Sequence, residues 1–592
     1  MKTAKRVAAL LLALAFSATA WAGWWEVYQA DGNLDLATAR RLALASVTED
    51  PRSADAVASA MWWLANLDNL PAPEEILAAA EGERDPELGF ALARIEAALV
   101  SRPPAGSLAS AELVGPFGVF SVLDLERQVV PPDGELPPLG TPWRDPAHAF
   151  HVVVRSQDGV HGRPLAMAVD GVFLLAWSLS ADRDVEGWLV IEADGGFNLE
   201  IDGRPVDRRR YCGSVDPGTT WYHLHLAEGF HRLRVEMASP GEPQVRASLL
   251  DDRGGPLEGV TVTLDPAAEL AASEALVALP PASAALWQEL EEGEHSEADF
   301  QLAAYLAQGR NDLQEERHWL ETACTSFPGD PWAAFALASH LYWSDTDAQG
   351  SEAASRLTEL LRQSTEIPMS LILERGLAVR ENRGEDAENL LEELIEKHHG
   401  DVRVLRIWVR EAVRQGWGLE AEEGLEELET ALPDSRSVTA LRLEVLAALE
   451  RWRERAELLQ VLAAMKPVES GWIRQLASSC LVDEATTAME DLASRVEDPD
   501  FDVEVIHLLL DRGDSQKATA ALDDAREQWG FTGSRRKASA RASSSVSSST
   551  LARISSSSSS TGRNPHCSLA SSRAAVAFWL SPRSSKRCMT ST

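Results

Sequence analysis

The feature that most constrains this chain is a spacing. Gly350-Ser351-Glu352-Ala353 returns as Gly384-Glu385-Asp386-Ala387 and again as Gly418-Leu419-Glu420-Ala421, 34 residues apart each time. Arg453-Glu454-Arg455-Ala456 follows after 35. A second marker keeps the same beat: Pro433, Pro467 and Pro499 stand at intervals of 34 and 32. Past that the register loosens, through Ala485 or Ala488 to Gly513 and Ala518. Such a period means one supersecondary unit stacked on its copies. A single helix hairpin cannot bury its apolar stripe alone, whereas stacked hairpins share a continuous core.

Gly384, Ala387, Gly418 and Ala421 are small where the second helix of a hairpin (helix B) would cross the first (helix A). In this the segment resembles the tetratricopeptide (TPR) family, a 34-residue helix–turn–helix, in a divergent form that keeps few of the family's aromatic positions. The resemblance implies an α-helical solenoid over 266–530 with a groove for a peptide or a partner domain. One further hairpin is expected over 298–349, with a longer loop near Ser344 to Gly350.

Ahead of the repeats, Ala56, Ala60, Trp63 and Leu67 recur at helical spacing. Pro51, Pro71, Pro73 and Pro86 cut that stretch into short helices, giving a TPR-like helical segment over 23–105. Residues 106–265 read as an antiparallel β-sandwich of jelly-roll type. Val152-Val153-Val154, Gly187-Trp188-Leu189-Val190-Ile191 and Arg232-Leu233-Arg234-Val235-Glu236 are strand-like runs. Asp158-Gly159, Asp170-Gly171, Asp194-Gly195 and Asp202-Gly203 supply the positive φ angles that tight turns demand. The stretch from Val190 to Val206, with Leu226 to His231, is similar to hairpins of PA14-like and carbohydrate-binding-module-like sandwiches. That likeness implies either glycan binding, with Trp188 or Trp221 stacked on a sugar ring, or packing against a neighbour. The expected fold class is therefore multidomain α plus β.

The two ends differ from the body. Lys2, Lys5 and Arg6 precede an apolar stretch from Val7 to Phe16, and Ala20-Trp21-Ala22 is a cleavage signature. Residues 1–22 thus read as a signal peptide, and the product as exported to a periplasmic or extracellular site. No other apolar run approaches the length of a membrane helix. Residues 531–592 hold 21 Ser, ten Lys or Arg and no Asp or Glu. They read as a disordered tail or as out-of-frame translation. The chain's net charge of −37, from 55 basic and 92 acidic residues, argues against nucleic acid or anionic membrane as partners.

No H-E-x-x-H, G-x-S-x-G or phosphate-loop motif occurs. Cys212, Cys324, Cys480, Cys567 and Cys588 show neither metal spacing nor a disulfide framework. No catalysis, cofactor or metal is expected. His223 and His225, two apart on a strand, with His231 on the next, are the best metal candidates, and Asp194 and Asp202 the best for calcium. A polar strand face and Asp-Gly turns account for them without an ion. The order of segments is similar to the front of large bacterial secreted proteins that continue into a transglutaminase-like domain. That likeness implies an alternative, the N-terminal part of an enzyme.

The binding candidates are basic. Arg403, Arg406, Arg410 and Arg414 fall within an arc of roughly 80° on one helix face, and Arg375 holds a near-equivalent place one repeat earlier. In peptide-capturing TPR proteins, basic side chains of helix A clamp a carboxylate, which the planar fork of Arg holds with two bonds. The competing reading pairs these arginines with the acidic helix from Glu420 to Glu429. On the clamp reading, Arg406→Glu with Arg410→Glu abolishes partner capture without unfolding the protein.

Overall fold

The computed structural model describes residues 23–79, 82–100, 103–108, 111–117, 125–126, 130, 143–144, 152–159, 171–193, 196–209, 218–239, 245–263, 270–293, 295–310, 312–344, 351–433, 435–464, 475, 502, 505–506, 509 and 515–529. The expected signal peptide, the Ser-rich tail, Asp194 and every cysteine but Cys324 lie outside these residues. So do Pro467 and Pro499. The chain divides into two compact units after Asp401.

The first unit opens with helices α1 (Trp24–Gly32), α2 (Leu36–Glu49) and α3 (Ala54–Ala65). Asp35 and Ser53 fix the starts of α2 and α3 by accepting the backbone N–H groups of Thr38 and Ala56. Helices α4 (Glu75–Ala79) and α5 (Pro86–Val100) follow, the latter with proline at its first position.

Then the period changes from helix to strand. The strands are β1 (Ala111–Phe117), β2 (Trp143–Arg144), β3 (Val152–Gly159), β4 (Gly171–Ala181), β5 (Val185–Ala193), β6 (Gly196–Ile201), β7 (Arg204–Arg209), β8 (Gly218–Leu226), β9 (Gly229–Ser239), β10 (Val245–Leu250), β11 (Val260–Thr263) and β12 (Ser273–Val277). They form two antiparallel sheets, one in the order β2-β3-β1-β4-β9-β6-β7 with β11 on β4, the other β10-β5-β8-β12. Alternate side chains of both meet in one core, with Phe173, Leu175, Leu233 and Val235 from the first and Leu189, Ile191, Tyr222 and Leu224 from the second. The β region ends at 277, beyond the expected 265. Its last strand sits at an edge, half-exposed, and only its pairing along β8 from Leu226 to Tyr222 identifies it.

Helices α6 (Pro281–Glu292), α7 (Glu297–Gly309), α8 (Leu313–Ser326), α9 (Pro331–Ser344), α10 (Ser351–Gln363), α11 (Pro368–Arg380) and α12 (Gly384–His398) complete this unit. The single hairpin expected over 298–349 is in fact the pair α7–α8 followed by α9, which opens the next pair. Trp24, Val27, Trp62 and Trp63 share one apolar core with Leu286, Phe300, Leu306 and Ala323. Trp24 stacks on Tyr305 with ring centroids 4.1 Å apart. The helices before and after the β strands are therefore one packed array, and the β unit is an insertion in it.

The insertion is fastened to the helices through α5. Trp188, Val190 and Trp221, on the outer face of the second sheet, pack on Phe90. Gly89 allows this approach, because a Cβ there would run into the Arg253 carbonyl. Polar groups join α5 to α6, the helix that follows the strands: Ser283 Oγ donates to Glu87 at 2.6 Å, and Ala282 N–H to Asp85 at 2.8 Å.

Two carboxyls near this array are displaced. Burial, then Asp330, pushes Glu297 up to about 8. Burial pushes Glu87 up to about 7, against the Arg310 charge. An unfolded glutamate ionises near 4.5, so between 4.5 and about 8 the folded chain binds more protons. Their contribution to stability is then full below pH 4.5 and is lost as pH rises to about 8. Denaturant midpoints measured across that range are expected to fall less steeply in Glu297→Gln than in the unmodified chain. Equal slopes would show that Glu297 is not a source.

The second unit holds α13 (Val402–Gln415), α14 (Gly418–Ala431), α15 (Arg436–Ala448), α16 (Trp452–Ala464) and α17 (Ser515–Trp529). The 34-residue markers are the starts of the second helices. Between first and second helix the backbone turns through a positive φ at Asn382, Gly416 and Glu450, of 57°, 78° and 57°. The same bond closes each turn: Arg383 N–H to Ala378 O, Trp417 N–H to Ala412 O and Arg451 N–H to Leu446 O, at 2.8, 2.8 and 2.9 Å. This is the closure that satisfies carbonyls at a helix end.

Candidate binding surface

Helix α13 carries four of the five arginines expected to bind a partner. Its first two turns, Val402 to Ile407, are buried on every side. Arg403 and Arg406 therefore lie inside, 1% and 2% exposed. Arg406 Nη2 donates to Ser437 Oγ at 2.8 Å, and Ser437 Oγ stands 3.0 Å from Ser435 Oγ, the residue that caps α15. Both arginines make further polar contacts. Arg410 and Arg414 are exposed. Arg414 Nε lies 3.1 and 3.2 Å from the two oxygens of Glu411, to which Gln415 also donates at 2.9 Å. Arg375 is half-buried on α11, in the first unit, while the other four belong to the second.

The acidic helix α14 has partners of its own. Glu422 pairs with Arg451, and Glu429 with Arg442 at 3.0 Å. Arg406→Glu would thus place a carboxylate in a buried polar site, so the double variant with Arg410→Glu would report on stability before it reported on capture.

Sequence reasoning missed an apolar edge. Trp417, Leu419 and Trp452 are 47%, 70% and 42% exposed. They stand at the starts of α14 and α16, just past the positive-φ turns. Arg410 and Arg414 lie in the last turns of α13, directly before Trp417. The signal was the repeat itself: Trp417 and Trp452 are 35 apart, at a register position where other repeats carry polar residues.

The other candidates are accounted for by their neighbours. His231 is 1% exposed, with Nδ1 2.8 Å from Asp202 and Nε2 2.7 Å from the Ala227 carbonyl. Both ring nitrogens are engaged, which leaves no lone pair for an ion. Asp202 also accepts the Arg232 N–H at 2.7 Å, so it ties the turn between β6 and β7 to β9. His223 stands 3.3 Å from Glu186, and His225 is exposed. Trp188 and Trp221 are buried under α5, 6% and 2% exposed, and neither can stack on a sugar. Among the described residues no helix is long and apolar enough to cross a membrane.

No protein-family model matches this sequence, and no curated protein matches it. Among solved structures, a tetratricopeptide repeat protein from Parabacteroides merdae is 14% identical, over 40% of this chain and 94% of that one, with a TM-score of 0.29. Yeast Tom70 is 19% identical, over 39% of this chain and 47% of its own, at 0.25. A β-glucosidase from Kluyveromyces marxianus is 15% identical, over 25% of this chain and 18% of that one, at 0.14. Likenesses this slight add nothing on function. The helical hairpins themselves, with their 34-residue turn and its repeated closing bond, decide the matter. The helical array is TPR-like.

Proposed function

We propose that this chain is an exported, non-catalytic scaffold that holds a protein or peptide partner on the exposed edge of its TPR-like array. The observation that carries the reading is the exposure of Trp417, Leu419 and Trp452 at the starts of α14 and α16, with Arg410 and Arg414 exposed on α13. Trp and Arg are the side chains most enriched where partners bind tightly. A TPR-like array offers such edges to extended ligands. Export is supported by the charged, apolar and small-residue order of residues 1–22.

The test uses the purified chain as bait, with capture quantified in the unmodified protein and in surface variants. Trp417→Ser with Trp452→Ser is expected to weaken capture by about tenfold or more. Arg410→Glu with Arg414→Glu is expected to weaken it as well, with a smaller loss at high salt. If both variants fold and capture the partner undiminished, the edge is not the binding surface.

A further inference from the structure

A cavity of about 170 Å³ lies where the second sheet meets the turn between α7 and α8. Arg209, Thr220, Trp221, Arg310, Asp312 and Glu315 are among the residues lining it. Arg310 marks it as a site. Its side chain is 8% exposed, and its guanidinium sits 4.6 Å over the Trp287 ring. Nη1 donates to Ser283 Oγ at 3.3 Å and lies 3.9 Å from Glu87. Nη2 is 3.9 Å from Glu315, beyond hydrogen-bond distance, and is buried with no acceptor. Trp221 Nε1 is buried with no acceptor too. Two unsatisfied buried donors among the residues of one cavity are costly unless a ligand supplies the acceptor.

The lining charges are balanced, Arg209 and Arg310 against Asp312 and Glu315. Such a lining disfavours a bare anion or cation and suits a molecule that carries both charges. Size narrows the class further. A cavity of about 150 Å³ holds a molecule the size of benzene, so this one accepts about six or seven non-hydrogen atoms. We propose that the cavity binds a free small α-amino acid, with its carboxylate on Arg310 and Trp221 and its ammonium on the side of Asp312 and Glu315.

The probes are glycine, L-alanine and L-serine, with acetate and ethylamine as the two separated halves. Calorimetry and thermal unfolding of the full chain are expected to show binding of at least one amino acid, with acetate and ethylamine each weaker by about tenfold or more. Arg310→Gln is expected to lower the affinity by about tenfold or more. Should that variant fail to fold, Val277→Trp fills the cavity from a lining residue that is 53% exposed. It is expected to abolish binding and leave the unliganded melting temperature unchanged. Absence of binding by all three amino acids at millimolar concentration overturns the proposal. Acetate binding as tightly as alanine overturns it as well, and so does undiminished binding by Val277→Trp.

Discussion

Replacing Trp24 by alanine is expected to destabilise the first unit by about 3–5 kcal/mol, the usual cost of emptying a buried tryptophan site. Trp24 is 1% exposed, stacks on Tyr305 at 4.1 Å and approaches Tyr28 at 5.9 Å. Its backbone N–H also donates to Asp55 on α3. The loss falls on two distant stretches at once, because the ring joins helices made at opposite ends of the unit. Chemical denaturation measures the size of the effect, and limited proteolysis measures its reach. Cleavage is expected to rise together in 23–65 and in 297–344. A rise confined to the first stretch would show that the two are not one core. Trp24→Phe, which keeps an aromatic ring in the site, is expected to cost clearly less.

Arg406→Glu is expected to destabilise the second unit by about 3–5 kcal/mol, because it puts a charge of the opposite sign into a buried site built around a guanidinium. Arg410→Glu, on the exposed part of the same helix, is expected to cost clearly less, and that through the loss of the positive charge facing the buried Glu444 carboxyl. The contrast is a consequence of where the helix is covered. Arg406 is 2% exposed and donates to Ser437 at the start of α15, a bond that the shorter carboxylate cannot donate. Amide hydrogen exchange over 402–448 follows the outcome in the full chain. Equal protection in the two variants would mean that the Arg406 side chain reaches solvent.

The same helix shows how far the residues alone could be read. Periodicity places Arg403, Arg406, Arg410 and Arg414 on one face, but it does not say along how much of its length that face is covered. The first two turns are enclosed all round, and polarity does not alter that. Gly384 and Gly418 made the repeat visible, yet only Gly418 is held to a small residue: a Cβ there would meet Leu449, whereas at Gly384 it would meet open space. The turn that defines the hairpin stayed hidden, since it is Asn382, then Gly416, then Glu450, and only one of these is the residue that favours positive φ. Glu450 adopts that conformation at a cost of about 1 kcal/mol, held by the Arg451–Leu446 bond. Strand positions of Trp188 and Trp221 were legible, yet the helix that covers them lies about a hundred residues away in sequence. Long-range cover leaves no local pattern.

The insertion of a β unit into a helical array has a consequence for how the chain is made. Synthesis runs from Trp24 onward, and Trp24, Trp62 and Trp63 wait for Phe300 and Leu306 before their shared core exists. The strands close on residues within their own span. The bond from Ser283 to Glu87, by contrast, joins groups 196 positions apart. Closing so long a loop is entropically cheap once the β unit has folded and drawn its ends together. A nascent chain of 280 residues therefore carries a finished middle and a bare aromatic front. The core that Trp24 opens is completed only after the strands have closed.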